Sequence, residues 1–185
     1  MYSWNARTQH HGNYYVAEEP AGYGRARQTV YLDTSIPSYL TARLSRDFAT
    51  ARRQRITRVW WERYRSNYEL RVSDSVLTEA GAGDFVAAQE RLKALDGVSA
   101  LAANELSDDL VTRLIGDGLL PLKALADAEH IAIAAANSVD ILLTWNYKHL
   151  ANRTIHRAVV QMCEAHGFRC PEICTPEKLM RNYAL

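Results

Sequence analysis

An α/β domain built on a mainly parallel sheet is what this sequence predicts, and three observations carry the prediction. Strand-like segments alternate with helix-like ones along the chain. Val139 to Thr144 is an almost unbroken apolar run, the pattern of a strand buried on both faces. The segment ahead of it, Leu125 to Asn137, is an alanine-rich helix whose small side chains permit close packing.

Taken in order, residues 1–28 mix His, Asn, Tyr, Gly and Arg without a sustained period and read as a flexible N-terminal extension. The domain proper is expected over residues 29–185. Gln28 to Asp33 is β-rich and is broken by Thr34 to Pro37. Leu40, Leu44 and Phe48, then Ile56, Trp60 and Tyr64, recur every four residues, which predicts an amphipathic helix or helix pair. Tyr68 to Ser73 alternates as a second strand. Asp74 or Ser75 is positioned to cap the helix that carries Val76, Leu77 and Glu79, and Gly81 and Gly83 stop it. Phe85 to Gly116 reads as helical with an interruption near Asp96 and Gly97, and Gly118 to Pro121 as a turn or short extended link. After the third strand come a helix over roughly Arg153 to His166 and a short segment near Ile173. Thr175-Pro176-Glu177 then opens a final helical turn.

The composition narrows the class. Of 185 residues, 48% are hydrophobic and 23% charged, values that argue for a folded globular chain. No run of 18 apolar residues occurs, so no membrane span is expected, and the first 28 residues lack the apolar stretch of a secretory signal. Three cysteines, Cys163, Cys170 and Cys174, make an odd set without a paired framework. They read as structural thiols in a reducing cytoplasm. Charge is unevenly spread. Between Ser38 and Ser66 stand eight arginines and two acids, a local balance of +6 on a chain whose net charge is +1. A basic strip on an acidic body suits a polyanionic partner, and equally a solvated helix face.

The acids carry the chemistry. Parallel sheets present their sites at the C-terminal ends of strands, near the point where strand order reverses. Asp33 ends the first strand, and Glu79 sits on the helix after the second. Asp127 lies on the alanine-rich helix, and Asn146 follows the third strand. Four oxygen-bearing side chains from separate segments can meet at that edge, a donor set suited to a hard divalent cation such as Mg²⁺ or Mn²⁺. Each also has a plainer reading: Asp33 as a helix cap, Glu79 as a solvated carboxylate, Asp127 paired with Lys123 or His130 one turn away. Asp140 stands at the opposite edge and reads as a cap or turn residue.

The segments Thr29 to Pro37, Val72 to Glu79, Ala126 to Ala132 and Asp140 to Asn146 resemble, in order, the successive motifs of PIN domains. The closing Cys174 to Met180 is similar to the end of a subgroup of VapC-type toxins. The resemblance runs from about Thr29 to Met180. It implies a three-layer α/β/α sandwich, Mg²⁺- or Mn²⁺-dependent endonucleolytic cleavage of single-stranded RNA, a small antitoxin partner and a homodimer. Carried over by position, Asp33, Glu79 and Asp127 are the metal-binding acids. The family's last acid appears here as Asn146, which keeps an oxygen donor but removes one negative charge.

On this reading Asp33, Glu79 and Asp127, with Asn146 assisting, are both the catalytic and the metal-binding set. Thr34, Ser35 and Thr144 are hydroxyls able to orient them, and His130 either positions Asp127 or faces the site. Arg43, Arg46 and the rest of the strip are expected to guide RNA by its phosphates. Trp145 is the expected base-stacking residue, whereas Trp60, Trp61 and Tyr64 suit packing better. His10 and His11 lack a third ligand, and Cys170 and Cys174 lack companions for zinc. Two other functions compete: a catalytically weak PIN domain that binds RNA, and an acidic interaction module without metal.

Overall fold

The computed structural model describes residues 26–146 and 153–181. Residues 1–25, with most of the expected extension and both His10 and His11, lie outside them. Of the rest of that extension, Gln28 already joins the sheet, its carbonyl accepting from Glu69 N at 2.9 Å.

The chain runs β1 (Thr29–Leu32), α1 (Ser35–Thr41), α2 (Phe48–Arg63), β2 (Glu69–Ser73), α3 (Asp74–Ala80), α4 (Phe85–Ala94) and β3 (Ser99–Leu101). It continues through α5 (Glu105–Gly116), α6 (Leu125–Ala136), β4 (Ile141–Leu143), α7 (Arg153–Ala165), β5 (Glu172–Cys174) and α8 (Pro176–Arg181). Two 3₁₀ turns, Arg65–Asn67 and Leu122–Ala124, precede β2 and α6.

The five strands form one sheet in the order β3-β2-β1-β4-β5, every neighbouring pair parallel. Strand β1 is central, Val30 facing Leu70 on one side and Ile141 on the other. Parallel neighbours demand crossovers, and these are filled by helices. Helix α1 packs on α2 and α4, and α2 on α8, while α5 packs on α6 and α7. The result is an α/β/α sandwich in three layers. Its core joins Val30, Leu32, Val72, Leu142 and Leu143 of the sheet to Trp60, Leu110, Leu114 and Ile131 of the helices.

Several expectations are corrected. The first fourfold set does not lie on one helix: the chain breaks between α1 and α2, leaving Leu44 in the link and Phe48 78% exposed at the start of α2. The second set is sound, with Trp60 in the core and Ile56, Trp61 and Tyr64 packed against it. Helix α3 is capped by Ser73, not Asp74 or Ser75, because Ser73 keeps an extended backbone and its hydroxyl accepts from Val76 N at 3.3 Å. The interruption expected near Asp96 and Gly97 is present, and it also holds a short strand, β3, that the helical pattern does not announce. Gly97, at φ +73°, makes the turn out of α4 that a residue with a Cβ would resist.

At the N-terminal edge of the sheet, Asp140 ties the two central strands together, in keeping with its expected capping role. One carboxylate oxygen accepts from both the N–H and the hydroxyl of Thr29 at 2.9 Å, and Thr29 Oγ1 accepts from Asp140 N. Arg169 pairs with the other oxygen at 3.0 Å. Burial pushes this carboxyl up, but the Thr29 hydrogen bonds and Arg169 outweigh it and hold the group below its ordinary 3.8. A depressed folded-state value contributes stability above the unfolded pKa, and that contribution is lost as the pH falls through the folded one. Asp140→Ala is therefore expected to cost about 2 kcal/mol at neutral pH. In urea titrations the gap to wild type should close as the solution is acidified below about pH 4.

Candidate active site

Strand order reverses at β1, whose crossover leads one way to β2 while β4 lies on its other side. Polypeptide leaving the C-terminal ends of β1 and β4 diverges there, and the divergence leaves a crevice. A cleft of about 350 Å³ occupies this place, lined among others by Asp33, Glu79, Asp127 and Asn146. The four side chains singled out from the sequence thus come from four segments to one cavity.

Each acid is held by a neighbour. Asp33 is 5% exposed, and its N–H reaches Leu143 O at 3.1 Å, carrying the β1–β4 ladder one residue past the strand. Its Oδ1 accepts from Ser35 N at 2.8 Å, so it serves the start of α1 while lining the cleft. Glu79, on α3, accepts from the Thr34 hydroxyl through Oε2. Asp127, on the first turn of α6, accepts from Asn146 Nδ2 at 2.7 Å.

His130, one turn along α6, is 2% exposed and reaches the carboxylates from below. Its Nε2 lies 3.6 Å from Glu79 Oε2 and 4.0 Å from Asp33 Oδ2, contacts longer than hydrogen bonds but short enough for strong electrostatic coupling. Burial pulls the imidazole pKa down, yet Glu79, Asp33 and Asp127 outweigh it and raise it above the ordinary 6.5. In return His130, against the effect of burial and together with Thr34, lowers the Glu79 carboxyl. On its far side His130 Nδ1 meets Tyr31 OH at 2.9 Å, and that hydroxyl meets Ser73 Oγ at 2.7 Å.

The expected supporting residues divide. Thr34 orients Glu79 directly, and His130 faces the site. Ser35 binds Asp33 through its backbone, while its hydroxyl accepts from Trp145 N at 2.9 Å. Thr144 accepts from Asn146 N at 2.9 Å, fixing the turn after β4 instead of a carboxylate. Asn146 itself presents its amide N–H to Asp127. Turning the amide over would set oxygen against oxygen, so Nδ2 is the atom that faces Asp127.

The stacking role expected for Trp145 is corrected. The ring is 3% exposed, its Nε1 donates to Thr57 Oγ1 at 2.7 Å, and it meets Tyr39 edge-on at 6.1 Å. It is a wall of the cleft, with no face free for a base. The arginine strip is corrected in part as well. Arg52 forms a two-pronged pair with Glu177 of α8, and Arg58 donates to Leu40 O and Ala42 O at the end of α1. Arg53 donates to Tyr39 OH on the cleft wall at 3.3 Å. Arg43 and Arg46 are exposed on the α1–α2 link and do not line the cleft.

Sequence reasoning missed Tyr31 and Tyr39. A signal existed for the first, since the strand period of two sets Tyr31 on the same face as Asp33. Tyr39 carries no comparable mark.

The donor chemistry, carboxylate oxygens in a water-accessible cleft, fits a hard divalent cation. The spacing is open: as the side chains stand, no three His, Cys, Asp or Glu residues among those described are close enough to grip one ion. No family model matches this chain, and no curated protein matches it.

The Thr57–Trp145 bond spans α2 and the turn after β4, so it ties the cleft wall to the helix layer. Thr57→Val leaves the buried indole N–H without its acceptor. A loss of about 1–3 kcal/mol in stability is expected by urea denaturation, with a change in tryptophan fluorescence that Thr50→Val does not reproduce.

Proposed function

We propose that this chain is a metal-dependent endoribonuclease of the PIN-domain kind, similar to VapC-type toxins and acting on single-stranded RNA in the cytoplasm. The observation that supports it is the meeting of Asp33, Glu79 and Asp127 in one cleft at the reversal point of a parallel sheet. Charges of one sign are costly to gather unless something of opposite charge is to be bound there.

Asp33, Glu79 and Asp127 are the residues that would hold Mg²⁺ or Mn²⁺, which when bound neutralises phosphodiester charge and acidifies a water. The chain's own contribution is orientation. Thr34 fixes Glu79, Ser35 N–H fixes Asp33, and Asn146 fixes Asp127. His130 lies beneath the two acids nearest to it. Arg43 and Arg46, exposed beyond the cleft, suit contacts with the flanking phosphates.

A second reading is RNA binding with weak cleavage. Asn146 favours it, since an amide where an acid would stand adds no negative charge to the site. Titration of Mn²⁺ against wild type and Asp33→Asn with a single-stranded RNA separates the two. Cleavage that requires metal and falls by roughly 10²-fold or more in Asp33→Asn supports the nuclease. RNA bound without cleavage at any metal concentration supports the second reading, and neither activity leaves an acidic interaction module. Asn146→Asp is expected to lower melting temperature without metal, by adding repulsion at Asp127, and to show a larger Mn²⁺-induced rise than wild type.

The toxin role carries partners with it: a small antitoxin covering the cleft, and a second copy of the chain. Among the described residues no helix is long and apolar enough to cross a membrane. Growth arrest on expression, relieved by the product of an adjoining small reading frame, is the expected result; sedimentation as a dimer is expected alongside it.

A further inference from the structure

Beneath the cleft a file of buried polar groups runs from the start of α3 to the carboxylates. Val76 N donates to Ser73 Oγ, Ser73 Oγ meets Tyr31 OH, Tyr31 OH meets His130 Nδ1, and His130 Nε2 faces Glu79 and Asp33. Ser73, Tyr31 and His130 are all essentially closed to solvent. Buried polar groups of this kind are stable only when each proton has an acceptor.

A neutral imidazole carries one N–H, and the file admits two arrangements. With the proton on Nδ1, His130 donates to Tyr31, Tyr31 donates to Ser73, and the imidazole turns a lone pair toward two carboxylates. With the proton on Nε2, Ser73 donates to Tyr31, Tyr31 donates to Nδ1, and an N–H points at the acids. The second satisfies every hydroxyl in the file and replaces a repulsive contact with an attractive one.

We propose that Tyr31 is a positioning residue for the site: by donating to Nδ1 it holds neutral His130 in the Nε2–H tautomer and keeps that donor aimed at Glu79 and Asp33. The proposal rests on the nuclease reading for its effect on cleavage, but not for the tautomer itself. Glu79 is thereby steadied from two sides, by the Thr34 hydroxyl and by the imidazole. Losing an outer partner of a ligand-bearing network commonly lowers metal affinity or rate about 10- to 100-fold.

The test is ¹⁵N NMR of the His130 ring in the full chain at alkaline pH, with Mn²⁺ binding and RNA cleavage measured on the same samples. Expected are an Nε2–H tautomer in wild type and a tautomer mixture in Tyr31→Phe. With them should come a loss of about 10-fold in Mn²⁺ affinity and kcat at unchanged KM for RNA. An Nδ1–H tautomer in wild type overturns the proposal, and that spectrum decides even if Tyr31→Phe does not fold. An unaltered tautomer in Tyr31→Phe overturns it too, as does unchanged cleavage by Tyr31→Phe when wild type cleaves. If wild type shows no metal-dependent cleavage but the tautomer shifts as expected, the nuclease reading fails while the positioning of the two acids by Tyr31 stands.

Discussion

Mutual repulsion among Asp33, Glu79 and Asp127 is the constraint to which the rest of the structure answers. Like charges that share one cleft repel, and each needs a partner to remain there. The chain meets that cost locally. A backbone N–H serves Asp33, a hydroxyl serves Glu79, an amide serves Asp127, and a histidine lies under the first two. Remove these partners and the sheet would have to bury or splay three bare anions. Their presence explains why so many polar side chains, Tyr31, Ser73 and His130 among them, stand inside an otherwise apolar core.

The topology makes the gathering unavoidable. With β1 central and chain connections leading away on both sides, whatever follows β1 and β4 must border the same gap. The helices then set depth: α3 brings Glu79 from one side, α6 brings Asp127 and His130 from the other, and the indole of Trp145 closes the wall against α2. Stabilising contacts sit elsewhere. Asp140 and Thr29 clasp the far end of the same two strands, so the strands are anchored at one end and left polar at the other.

Much of this was legible because strong periods mark long elements. The buried run at Ile141–Leu143 and the alanine-rich α6 announce a parallel sheet, and an acid closing an apolar strand announces an edge. Elements without a period left no trace: β3 is three residues of an exposed edge strand, too short to alternate. Trp145 was misread because adjacency in sequence says nothing of direction; Ser35 takes its N–H and Thr57 its indole, and the ring turns inward. The arginine strip was over-read for a related reason. Counting charges cannot reveal that Arg52 meets an acid 125 residues away. Tyr31 was hidden because an aromatic in a buried strand looks like packing, and its hydroxyl matters only once Ser73 and His130 are placed beside it.

The pairing of β1 with β4 joins Val30 to Ile141 across more than half of the chain. At about 5–20 residues per second of synthesis, the central strand waits roughly 6 to 22 s for its second neighbour to be made. Through that interval its apolar edge lies open on the ribosome, a natural place for a chaperone to bind. The cleft cannot exist before Asn146 has emerged, so its four walls come together only as the sheet closes.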